Sequence, residues 1–85
     1  MRFLDKIEQI KAELINTGNT NIAEDILELQ LSGGTGGEVL GLVCSKLIEL
    51  KHMQSGIYDL ISQPAEELME YSKSLGMHPH WNQRT

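Results

Sequence analysis

The chain has 85 residues, with twelve Asp and Glu against seven Lys and Arg and a formal net charge of −5. That length allows one domain with a single core, burying about 60 to 65% of the unfolded surface, so stability is expected to be modest. The acid surplus argues against nucleic acid as a direct partner, because phosphate binding needs a basic footprint. Cys44 is the only cysteine, which rules out an internal disulfide and suggests a reducing compartment. No apolar run approaches the roughly 18 residues of a membrane span, and the charged opening MRFLDKIEQI is no secretory signal. A cytoplasmic protein with no membrane contact is the expectation.

Helical periodicity dominates, and no strand-like alternation of useful length competes with it. Phe3, Ile7, Ile10 and Leu14 fall on one stripe, flanked by Leu4 and Ile15, which predicts a first helix over 2–16. Asn16-Thr17-Gly18 stops it, with Gly18 suited to a left-handed cap. A second helix follows a short turn. Asn21 with Glu24 has capping-box spacing, and Thr20 is the alternative cap. Ile22, Ile26 and Leu29 form one edge of its apolar arc, Ala23 and Leu27 widen it, and Ser32-Gly33 ends it.

The stretch Gly33-Gly34-Thr35-Gly36-Gly37 then raises the question of phosphate binding. A P-loop needs a preceding strand and a lysine, and a dinucleotide fingerprint needs a third glycine where Val39 stands. Thr35 with Glu38 instead has the T-x-x-E spacing of a capping box, so the glycines read as a tight connection between helices. The third helix, over 36–53, carries Val39, Leu40, Leu42, Val43, Leu47, Ile48, Leu50 and Met53. Only Gly41, Ser45, Glu49 and His52 form a polar sliver. A helix apolar nearly all round is a central one, and Gly41 is expected to let a neighbour approach closely. A short exposed segment, GIYDLIS, comes next. The last helix is expected to begin near Gln63-Pro64, with Ser62 as cap and Pro64 in the first turn. Leu75-Gly76-Met77 closes it. The whole predicts an all-α fold, a small antiparallel bundle of four helices with the third central, over 1–77, and a flexible tail over 78–85.

Catalysis needs convergent polar groups, and they are missing here. Cys44 lies beside an apolar arc with no histidine at helical spacing, which describes an inert buried thiol. His52 suits a helix C-terminus, where the dipole favours a positive imidazole. His78 and His80 around Pro79 lack a third ligand, and Glu66, Glu67 and Glu70 are followed by no histidine at ligand offset. The expectation is a protein that is not an enzyme and has no cofactor and no metal.

Binding is better supplied. Between Lys11 and Lys46 there is no Lys or Arg, and none between Lys51 and Lys73. Glu24, Asp25 and Glu28 share an arc of about 100° opposite the apolar face of the second helix. Such like charges repel by a few tenths of a kcal/mol per pair. Solubility alone accounts for a charged face; a face built for a basic partner is the functional reading. The candidate contacts are Glu24, Asp25 and Glu28 first, then Tyr58 and Asp59 in the short segment, then Glu66, Glu67 and Glu70. Tyr71 and Trp81 are also of interface-anchoring type.

In "LELQLSGGTGGEVLGLVCSKLIEL" and the ending "EELMEYSKSLGM", the chain resembles small helical immunity proteins of bacterial polymorphic-toxin and contact-dependent growth inhibition systems, the MafI-like type. Gly37-Glu38 matches the turn of that pattern, Leu42, Cys44 and Leu47 its apolar helix, and Leu75-Gly76 its close, over about residues 22 to 77. The doubled Gly-Gly and the histidine-rich tail depart from it. The resemblance implies a protein that binds one cognate toxin domain, often a nuclease with a basic cleft, and blocks it. The free protein would then be a monomer or weak homodimer. The rival from another class is a homodimeric helical regulator or adaptor. A nucleic-acid mimic would want denser acid than this.

Overall fold

The computed structural model describes residues 2–75. Four helices hold nearly all of them: α1 (Phe3–Asn16), α2 (Thr20–Ser32), α3 (Gly36–Met53) and α4 (Ser55–Ser74). No strand occurs among the described residues. The all-α bundle expected from periodicity is the fold found. The closing residues Gly76 and Met77, the His78/His80 pair, Trp81 and the rest of the tail lie outside the described residues.

α1 buries Ile7, Ile10 and Leu14 completely. It ends at Gly18, whose φ of +84° is the left-handed conformation that only glycine adopts without strain. The Asn19 N–H donates to the Leu14 carbonyl at 2.7 Å, and the Gly18 N–H to that of Ile15 at 3.1 Å. This is the paired Schellman closure, and it turns the chain into α2. Neither Thr20 nor Asn21 caps α2. Its N-cap is Asn19, which makes no side-chain cap bond. The Asn19 amide is turned back instead, donating to Thr17 Oγ1 at 3.0 Å.

The glycine turn is structural. Thr35 is the N-cap of α3, its Oγ1 accepting from the Glu38 N–H at 3.1 Å. Glu38 Oε1 accepts from the Gly34 N–H at 2.8 Å, one residue before the usual box partner. Gly33 lies so close to Val39 that a β-carbon there would sit 3.0 Å from the Val39 backbone nitrogen and inside its side chain. Close approach therefore requires glycine at 33. At Gly41 the expectation fails: a β-carbon there meets nothing within 4 Å.

α4 differs most from expectation. It is one helix of 20 residues from Ser55 onward, separated from α3 by Gln54 alone, and Pro64 lies in its interior. Proline there removes a hydrogen bond and costs about 3 kcal/mol in an isolated helix. The apolar stripe runs straight through it, however. Tyr58, Ile61, Pro64, Ala65 and Leu68 are all buried, and burying that stripe outweighs the missing bond.

α1 packs against α2 and α4, and α3 packs against the same two. Among the described residues α3 supplies six of the fifteen buried hydrophobic ones, Val39, Leu40, Val43, Cys44, Leu47 and Leu50, more than any other helix. Phe3 of α1 stacks on Tyr71 of α4 with ring centroids 6.3 Å apart. Truncating Leu47, which is fully buried, is expected to cost about 2 to 5 kcal/mol in a urea melt through the cavity left behind. The two glycines should respond with opposite signs. Gly33→Ala is expected to destabilise by about 1 to 3 kcal/mol through overpacking, while Gly41→Ala should stabilise by about 0.5 to 1 kcal/mol through helix propensity.

Candidate functional site

The acids of α2 lie on its solvent side, as their spacing requires. Ala23 and Ile26 point into the core, and Glu24, Asp25 and Glu28 are exposed. Asp25 and Glu28 open onto a groove of about 430 Å³ between α2 and α3, with Leu29 and Leu42 among its walls and Ser32, Ser45, Lys46 and Glu49 around it. Lys46 alone among these residues is basic, and its Nζ lies 3.6 Å from Asp25 Oδ2. Asp25 is therefore paired across two helices, although no Lys or Arg lies near it in the sequence of α2. Glu24 and Glu28 make no ion pair among the described residues, and neither does Glu49. Of the three carboxylates on the groove rim, the two without an ion pair, Glu28 and Glu49, with two serine hydroxyls beside them, can accept hydrogen bonds from a cationic side chain reaching in.

Sequence reasoning missed Glu49, Ser45 and Lys46 as site residues. The signal was present in the polar sliver of α3, whose members Ser45 and Glu49 recur at i,i+4 and so mark a single outward face. Only the packing of α2 beside α3 shows that this sliver and the α2 acids border one space.

The other candidates form a separate surface. Glu66, Glu67 and Glu70 are exposed on α4, and Asp59 shares their side of that helix through its i,i+7 and i,i+11 spacing to Glu66 and Glu70. α2 and α4 each pack against α1 and α3, which sets the two acid faces on opposite sides of the bundle. The α4 acids are also largely engaged. Glu67 pairs with Lys6 of α1, and Glu66 lies 3.8 Å from Lys51. Glu70 makes no ion pair among the described residues.

Tyr58 is not an exposed contact. The segment around it is helical, and the residue is 3% exposed. Its hydroxyl donates to Glu66 Oε2 at 3.4 Å, and Lys51 Nζ sits 5.7 Å from the ring centroid. Burial, with the neighbouring Glu66 charge and the bond to it, pushes its phenol up to about 12. Tyr58 ties α3 to α4 and presents no free face to a partner.

Cys44 is buried. Desolvation pushes its thiol up to about 11, a shift that the Ser72 hydroxyl beside it offsets in part. A thiol held protonated in the core is a poor nucleophile. Among the described residues no three of His, Cys, Asp and Glu are placed to hold a metal ion, and no helix is long and apolar enough to cross a membrane. Compared with known proteins, the chain matches no family model, no curated protein and no solved structure.

The two raised groups fix the alkaline behaviour. In the unfolded chain Cys44 ionises near 9.0, and in the fold only at about 11. The folded state thus holds a proton that the unfolded state has lost, and stability falls as pH rises above 9. Tyr58 adds a loss of the same sign from 10 to about 12. Urea melts at about pH 8 and about pH 10.5 should show a drop in stability that is smaller in Cys44→Ala than in the parent chain.

Proposed function

We propose that this chain is an immunity protein that binds one cognate toxin domain and neutralises it by covering a basic cleft with carboxylates, acting in the cytoplasm of the producing cell. The supporting observation is the α2–α3 groove. Asp25, Glu28 and Glu49 stand around it with Lys46 as the single base, and Glu24 extends the acidic face along α2. A nuclease is the toxin class that fits such a surface, because a cleft that holds phosphate is positive and carboxylates can occupy the phosphate positions. The net charge of −5 also speeds encounter with a basic partner through long-range attraction. The resemblance to the MafI-like proteins points the same way.

The alternative is a homodimeric helical regulator or adaptor. Exposed Leu27 and Leu31 on α2 favour it, since they offer apolar surface to a second copy. Sedimentation of the free chain separates the two readings. A stable dimer with no toxin partner selects the adaptor.

Co-expression with candidate toxin domains of the polymorphic-toxin class tests the proposal directly. Cells should survive, and the complex should be nanomolar or tighter, on the order of −12 kcal/mol. Reversing Asp25 and Glu28 to Lys should slow association about tenfold or more at low salt and flatten its salt dependence. Folding stability should fall by roughly 1 kcal/mol, because half-buried Lys46 loses its Asp25 partner and meets a like charge in its place. Intact rescue with an unchanged salt slope would move the contact to Glu66, Glu67 and Glu70.

A further inference from the structure

The flank of α2 that faces away from the groove is apolar. Leu27 and Leu31, one helical turn apart, are 44% and 77% exposed. They lie on the opposite side of the buried Ala23–Ile26 stripe from Asp25, which reaches across to α3. That side is the one turned toward α1. On α1, residues 4, 8, 11 and 15 recur at i,i+4,i+7,i+11 and form one ridge. Lys6, on the other flank, reaches α4, so this ridge borders α2. Leu4 and Ile15 stand on it, 44% and 53% exposed. Because α1 packs against α2, the two ridges border one seam, with Leu4 and Ile15 at the two ends of the α1 ridge and the Glu8–Lys11 pair between them. Single exposed leucines are ordinary on a soluble protein; Leu27 and Leu31 on adjoining turns, with aliphatic residues across the same seam, form a patch.

The charges beside the seam select what covers it. Glu24 and Glu28 border Leu31 on the outer face of α2, and neither makes an ion pair among the described residues. The base on the α1 ridge, Lys11, is held by Glu8 at 2.8 Å. A second copy related by a two-fold axis would set Glu24 and Glu28 against their own images, and an anionic lipid surface would repel them. We infer that the α1–α2 seam is a docking groove for a basic amphipathic helix of another protein, which lays its apolar ridge along Leu4, Ile15, Leu27 and Leu31 and its Lys or Arg residues over Glu24 and Glu28. Helices of 14 and 13 residues give a groove about 20 Å long, room for three to four turns of a partner helix packed ridge into groove.

This deepens the inhibitor reading and rests on it for the identity of the partner; the surface itself is tested without the toxin. The probe is a synthetic helical peptide of Leu and Lys with its leucines on one face, read by fluorescence anisotropy against the whole chain. Its control has the same composition with the stripe scrambled. The patterned peptide should bind and the scrambled one should bind roughly tenfold or more weakly. Leu27→Gln with Leu31→Gln keeps good helix formers at exposed positions and should weaken binding roughly tenfold or more with the salt slope unchanged. Leu27→Lys with Leu31→Lys should weaken it further. Glu24→Gln with Glu28→Gln should flatten the salt dependence, and Met53→Ser, at the far end of α3, should change nothing. Equal binding of both peptides, or full binding by the Leu-to-Gln variant, overturns the groove. So does a dimer of the free chain that the same variant dissolves, since the occupant would then be a second copy. Failed rescue alongside intact, variant-sensitive peptide binding removes the toxin and leaves the groove standing. Successful rescue with no peptide binding does the reverse.

Discussion

The apolar circumference of α3 is the constraint from which the bundle follows. Six of its residues are buried, and a helix so apolar cannot present one face to a partner and leave the rest in water. It needs cover on two flanks, and its sequence neighbours α2 and α4 supply it. α1 then fills the remaining gap by packing against both of them, with Ile7, Ile10 and Leu14 buried. The tightness of the turns serves the same end. Gly33 lets α2 end directly against Val39, and the single residue Gln54 starts α4 directly from α3.

Polar chemistry on the surface is set by what this packing leaves outside. The inward arc of each helix belongs to the core, so the acids of α2 and α4 are left outside on opposite faces, and only where two helices meet do their polar edges combine. The α2–α3 seam gives the carboxylate groove, and the α1–α2 seam carries exposed aliphatic residues beside Glu24 and Glu28. The α1–α4 and α3–α4 seams are clasped by Lys6 with Glu67 and by Lys51 with Glu66. Exposed pairs of this kind contribute about 0 to 1 kcal/mol each. They bear more on how much free acid each face retains than on stability.

How much of this was legible in the sequence depended on range. α1 and α3 read to within a residue because their ends are written locally, in Gly18 and in Thr35 with Glu38. α4 did not, because a rule that stops helices at proline is local and the burial that overrides it is not. Tyr58 followed the same error, since a residue assigned to a short exposed segment is read as a contact. The pairing of Asp25 with Lys46 joins separate helices, and no spacing rule reaches across a turn of unknown geometry. Leu27 was read as widening the core arc of α2, and it stands on the outer flank instead. Helical period gives a residue's angle around its own axis, but the position of the neighbouring helix decides whether that angle is covered.

The arrangement of the seams also sets an order among them. Three seams join helices consecutive in the chain, and closing them orders short connections. The fourth, between α1 and α4, joins residues near both ends of the described chain, as Phe3 on Tyr71 shows. Loop-closure entropy grows with the length enclosed, so this seam is the costliest to form and contributes most to the separation in sequence that slows folding. The shared apolar core of α1 and α4 holds the ring of helices shut, with Phe3 on Tyr71 and the Lys6–Glu67 pair at its edge. The nearness of Phe3 and Tyr71 has a topological corollary. A short linker from Leu75 to Arg2, with the chain reopened at the Thr17–Asn19 turn instead, would convert the costliest closure into a local one.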